Sequence, residues 1–146
     1  MRKELRIQLA ITDAEIEKCY SVIAELRPHL IQSDFVSRVR QQEKEGYNLA
    51  YLMDESDRIL SVAGFRLGLN LAWGKFLYVD DLVTAESARS LGCGQAMIQW
   101  LKDFAVARDC DQFHLDSGLH RKDANRFYER EGLKITSYHF ASRLKE

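Results

Sequence analysis

The chain has 146 residues, 46% of them hydrophobic, with 21 basic against 22 acidic side chains and a net charge of −1. One domain spanning residues 1–146 is expected, because domains run about 100–200 residues and a chain of this size buries a core without staples. That composition excludes a disordered chain, and the balanced charge gives no basis for binding nucleic acid through bulk electrostatics.

Residues 1–6 are charged and lead into no apolar signal core, and no apolar run reaches the length of a membrane span. No membrane association is therefore expected. Leu5, Ile7 and Leu9 alternate with Arg6 and Gln8, which predicts a strand over 5–10. Thr12 and Glu15 then stand at capping-box spacing. Ile16, Tyr20, Ile23 and Arg27 follow at helical intervals, and Pro28 ends that helix. Phe35 and Val39 mark a second helix over 33–45, stopped by Gly46. Three strand-like stretches come next, at 48–53, 58–67 and 76–84, with connections short enough for antiparallel pairing. Met97, Leu101 and Phe104 place a helix over 94–108. Residues 111–117 read as a strand, Lys122–Arg130 as a short helix stopped at Gly132, and 133–144 as a closing strand. The predicted order is β-αα-βββ-α-β-α-β(β), an α/β domain whose mixed, mostly antiparallel sheet is flanked by helices. Three cysteines, Cys19, Cys93 and Cys110, are odd in number and lack metal-ligand spacing. They read as reduced thiols of a cytoplasmic protein, and no metal is expected.

The informative segment is Tyr78-Val-Asp-Asp-Leu-Val-Thr, followed by Arg89-Ser90-Leu91-Gly92-Cys93-Gly94-Gln95 at the entry to a helix. Glycines 92 and 94 permit positive φ and close backbone approach. First-turn amides have no intrahelical acceptor, and the helix dipole behind them favours an anion. Arg89 adds a guanidinium fork suited to phosphate. A phosphate or diphosphate is the ligand this loop predicts. No Lys-Ser/Thr pair follows Gly94, as a Walker A loop requires, and Met97 stands where a dinucleotide fingerprint needs its third glycine.

Arg89-x-x-Gly92-x-Gly94 after a strand resembles the acetyl-coenzyme A loop of the GCN5-related N-acetyltransferase (GNAT) superfamily. Downstream, Ala124-Asn-Arg-Phe127-Tyr128-Glu-Arg-Glu-Gly132-Leu133 resembles that family's second signature. Val79-Asp80-Asp81-Leu82-Val83 is most similar to the small-amine and polyamine type, which carries an acidic pair on this strand. Arg121 departs from the asparagine that the family often has seven residues before the tyrosine.

The resemblance implies an N-acetyltransferase that moves the acetyl group of acetyl-coenzyme A directly to an amine within a ternary complex. It implies a central strand splayed from its neighbour, so that the backbone of Leu82, Val83 and Thr84 pairs with the pantetheine arm and the thioester oxygen. Residues Arg89, Ser90, Leu91, Gly92, Cys93, Gly94 and Gln95 would cradle the diphosphate. Asp80 and Asp81 are candidates for amine recognition and proton removal, with Asp80 as base, directly or through water, and Asp81 as a substrate contact. Strict alternation would set the two carboxylates on opposite faces, although the irregular pattern at 80–83 is compatible with a bulge. Tyr128 is the candidate acid for the departing thiolate. The acceptor would be a small-molecule amine or a protein amino group, walled by residues 13–45 and the loop 68–75. A homodimer is the assembly found in many relatives.

Blander readings stand beside these. The acidic pair could serve a structural ion pair with Arg66, Lys75 or Arg121, and the charges at Arg38, Arg40 and Glu43 to Glu45 nominate no substrate sign. Cys93 has no histidine close in sequence and offers mainly its backbone. A non-catalytic acyl-coenzyme A-binding or interaction module with the same fold is the rival function.

Overall fold

The computed structural model describes residues 4–145; the charged start at 1–3 and the last residue lie outside the described residues. Five strands, β1 (Arg6–Leu9), β2 (Tyr47–Met53), β3 (Ile59–Asn70), β4 (Gly74–Thr84) and β5 (Gln112–Leu115), form one sheet in sequence order. The first four pair antiparallel, and β5 joins β4 in parallel. Five α-helices accompany them: α1 (Asp13–Lys18), α2 (Tyr20–Leu26), α3 (Gln32–Glu43), α4 (Cys93–Ala107) and α5 (Lys122–Arg130). The mixed, mostly antiparallel α/β class is the predicted one. The chain divides into two compact units, one reaching Leu115 and one beginning at Asp116.

In the first unit, Thr12 caps α1 as its spacing predicts. Its hydroxyl accepts from the Glu15 amide at 3.1 Å, and the Glu15 carboxylate accepts from the Thr12 amide at 2.9 Å. Hydrogen bonds from the Thr12 amide, the Tyr51 hydroxyl and the Ile11 amide hold Glu15 down at about 2. The single helix predicted up to Pro28 is divided at Cys19. There the thiol donates to the Glu15 carbonyl (3.4 Å) while the Cys19 amide turns to Ile16, so a side chain has taken the amide's usual acceptor. Pro28 does end α2: Arg27 leaves the helix at φ −122°, as the residue before a proline must.

The sheet is covered on both faces. Phe65 meets Trp100 and Phe104 edge-on, which packs α4 against one face. By alternation along β3, Gly64 and Arg66 face the other side, where α2 lies across β3 and β4 and α3 against β2. Leu49, Leu52, Phe65, Leu77, Met97 and Leu101 are fully buried.

Two departures bear on function. The stretch 68–75, expected as a loop, forms instead the β3–β4 hairpin, where Trp73 stacks on His114 at 3.4 Å between ring centroids. In the second unit, the strand predicted over 133–144 is not formed; residues 133–145 carry neither helix nor strand. Ile135, Tyr138, Phe140 and Leu144 are 79–95% exposed. Apolar spacing supplies one side of a strand; a neighbouring edge must supply the hydrogen bonds.

Candidate active site

The site in the first unit is built where β4 changes its register. Opposite Gly64 stands Asp81 and opposite Phe65 stands Val79, so Asp80 is an extra residue in β4, a bulge. An unbroken strand would have sent Asp80 and Asp81 to opposite faces. With the bulge, both line one pocket of about 590 Å³, together with Tyr78.

Each carboxylate is engaged. Asp80 is gripped by Arg66, with Nη2 to Oδ2 at 2.7 Å and Nε reaching both oxygens at 2.9 and 3.1 Å. Of the three ion-pair partners considered from the sequence, Arg66 is the one found here. Asp81 accepts from Arg27 Nε at Oδ1 (3.0 Å) and from the Tyr47 hydroxyl at Oδ2 (2.9 Å). Arg27 reaches Asp81 because Pro28 has taken it out of α2, and its Nη2 also donates to the Asp80 carbonyl at 3.1 Å. Neither Arg27 nor Tyr47 was singled out as a site residue from the sequence. Arg27 comes from the end of α2 and Tyr47 from β2, 54 and 34 residues from Asp81, and no local spacing signals either contact. Burial and the neighbouring Asp81 charge push the Tyr47 phenol well above its ordinary value, so it stays a donor.

Gly64 makes room for this arrangement. A Cβ there would fall inside the Tyr47 hydroxyl. Gly64→Ala is therefore expected to push the Tyr47 ring off Asp81 and to destabilise the fold by about 1–3 kcal/mol, as overpacking does. Thermal unfolding checks it, and an unchanged midpoint would contradict the crowding.

Beyond the bulge, the pairing of β4 with β5 stops at Val79 and Leu115, while the pairing with β3 continues to Thr84. On the β5 side, residues 80–84 thus run past their partner strand. Leu82, Val83 and Thr84 are half-buried there. A short 3-10 turn, Glu86–Ala88, leads to Arg89 at φ −64°, Ser90 at φ +69° and Gly92 at φ +82°. Arg89 is extended (ψ 150°), while Ser90 and Gly92 are left-handed, so the chain turns sharply just before α4. Gly92 takes the left-handed conformation, as expected of one glycine, but Gly94 lies inside α4 and Ser90 supplies the second positive φ. Gly92 has no side chain to cap α4, so no cap side chain engages the amides of Cys93, Gly94 and Gln95. Arg89, Ser90, Leu91 and Gln95 are exposed. Cys93 is buried at 1% exposure and its thiol is pushed up by that burial, which removes it as a nucleophile.

In the second unit, Tyr128 lies on α5 beside Phe127, with ring centroids 5.4 Å apart. Gly132 at φ +90° closes the helix: its amide donates to Glu129 and that of Leu133 to Tyr128. This Schellman motif explains the glycine four residues past the tyrosine. Burial raises the Tyr128 phenol above its ordinary value, opposed by the charge of Arg121 and a hydrogen bond from it. Arg121, at the family's asparagine position, therefore faces the hydroxyl.

The model of the acetyltransferase (GNAT) family matches residues 13–133. The chain belongs to the GNAT acetyltransferase family. An uncharacterized N-acetyltransferase of Bacillus subtilis (strain 168), YhdJ, is 33% identical over 128 residues, 86% of this chain and 89% of the relative. Among solved structures, a transcriptional regulator from Bacillus halodurans C-125 superposes with a TM-score of 0.85 at 20% identity, covering 97% of this chain and all of that one. AAC(6')-Iy in complex with the bisubstrate analog CoA-S-monomethyl-acetylneamine gives a TM-score of 0.82 at 11% identity, covering 97% and 99%. At these identities the structural likenesses establish the GNAT fold. Membership in the family makes the chain an acetyl-coenzyme A-dependent N-acetyltransferase.

Proposed function

We propose that this enzyme, one domain over residues 1–146, acetylates the primary amine of a small molecule by direct transfer in a ternary complex, in the cytoplasm. The observation that carries the reading is the run of β4 past the end of β5, leading through residues 89–92 into the uncapped start of α4. A long thioester with a diphosphate fits that run on two counts. Main-chain groups of Leu82, Val83 and Thr84 beyond the end of β5 suit an extended amide arm. The turn at Arg89, Ser90, Leu91 and Gly92, with the amides of Cys93, Gly94 and Gln95 at the start of α4, suits the diphosphate. Acetyl-coenzyme A would supply the activated acetyl group there.

The chain's own residues then divide the proton work. Asp81 uses one lone pair on each oxygen for Arg27 and Tyr47, which leaves capacity to accept from an ammonium. Asp80 is held through both oxygens by Arg66, so its role as base is best served through water, which spares the ion pair. Tyr128 is the proposed acid, its phenol kept protonated at neutral pH.

Thermal unfolding with acetyl-coenzyme A, ATP or NAD, followed by a thiol-release assay over an amine panel, tests the reading. Acetyl-coenzyme A at about a hundred times its Kd should raise the midpoint by roughly 5–10 °C, the other two should not, and thiol release should require an amine. Protection by ATP but not by acetyl-coenzyme A would sink it.

A further inference from the structure

The pocket at Asp80 and Asp81 holds more positive than negative charge. Three guanidinium groups, Arg27, Arg38 and Arg66, line it against two carboxylates. Two of the three are committed, Arg66 to Asp80 and Arg27 to Asp81. Arg38 has no hydrogen-bond or ion-pair partner among the described residues. Its neighbour Arg40 shows the contrast: it binds Asp13, Glu43 and the Ile11 carbonyl, and it does not line the pocket.

Arg38 is placed by α3 itself. Phe35, Arg38, Val39 and Gln42 fall at helical spacing on one face and all line the pocket. Phe35 and Val39 are buried and fix that face toward the sheet. Gln42 accepts from Arg66 Nη2 through its carbonyl oxygen (3.2 Å), which leaves its NH2 as a donor. The helical wall thus offers donors and a free cation, while the sheet floor offers carboxylates. A purely cationic amine satisfies the floor and is repelled by the wall.

We infer that the acceptor is an amine that also carries an anionic group, a carboxylate or a phosphate, and that Arg38 receives this group. The inference rests on the acyl-transfer reading of the same pocket and names the substrate class within it. Arg38 is a specificity-determining residue: its guanidinium presents a fork that either anion fills with two charge-assisted hydrogen bonds. The ammonium end lies toward Asp80 and Asp81.

Thiol-release kinetics with four groups of acceptors test this: amino acids, amino-sugar phosphates, the amide or dephosphorylated analogue of each, and polyamines with aminoglycosides. For the wild-type enzyme the best anionic acceptor should exceed its neutral analogue and every polycation by about tenfold or more in kcat/KM, as one charge-assisted pair provides. Which of the first two groups wins tells carboxylate from phosphate. Arg38→Gln should reduce the anionic-to-neutral preference by about tenfold or more, through KM rather than kcat. Because Arg38 is exposed and unpaired among the described residues, the variant should unfold at the wild-type temperature. Release with polycations as the best acceptors, or a preference that Arg38→Gln leaves intact, overturns the inference while transfer itself stands. Release with no amine overturns the transfer reading and this one with it.

Discussion

Gly92→Asp should weaken acetyl-coenzyme A binding by about a hundredfold or more, whereas Gly92→Asn should weaken it by about tenfold at most. Gly92 sits at φ +82°, which strains most side chains, yet a Cβ there meets nothing within 4 Å. Asparagine and aspartate tolerate this conformation better than other residues and have nearly the same shape. The comparison therefore isolates charge. A carboxylate about 4–5 Å from a diphosphate opposes it by roughly 3 kcal/mol at an effective dielectric near 20, about two powers of ten in affinity. It would also attract the amides of Cys93, Gly94 and Gln95 that are proposed to hold the diphosphate. Calorimetric titration decides the matter: equal affinities for the two variants would mean that no phosphate sits at this loop.

Tyr128→Phe should lower kcat by about a hundred- to a thousandfold and leave cofactor affinity within about threefold of wild type. The change removes one oxygen and keeps the ring beside Phe127, so the fold of the second unit should persist. The pH profile gives an independent reading. Burial raises the phenol above its ordinary range, against the smaller opposing pull of Arg121. A group raised in this way keeps its proton to higher pH, so the wild-type rate should fall only beyond the usual phenol range. The phenylalanine variant should lose that alkaline limb. A fully active variant with an unaltered profile would remove Tyr128 from the proton path.

The local parts of this architecture were legible in the order of residues. Thr12 and Glu15 announce the start of α1, Pro28 the end of α2, and the Arg89–Gly94 segment its meeting with α4, because each depends on neighbours a few positions away. Cys19 was not legible as a break, since a thiol that takes a carbonyl leaves no periodic trace. The partners of the acidic pair were legible only in part. Arg66 lies 14 residues from Asp80, across one hairpin, whereas Arg27 lies 54 residues from Asp81. The strand expected over 133–144 failed for the converse reason: its apolar pattern is local, but the edge it would need is not.

The extra residue at position 80 joins two properties that would otherwise vary separately. A bulged strand bends and twists more than its neighbours, and β4 leaves β5 at the very next step after Val79. One inserted amino acid therefore both brings a second acid into the pocket and stands where β4 parts from β5, the place proposed for the thioester arm. Removing it would re-register the strand, so on the proposed function a shortened β4 would keep a sheet and lose both places at once.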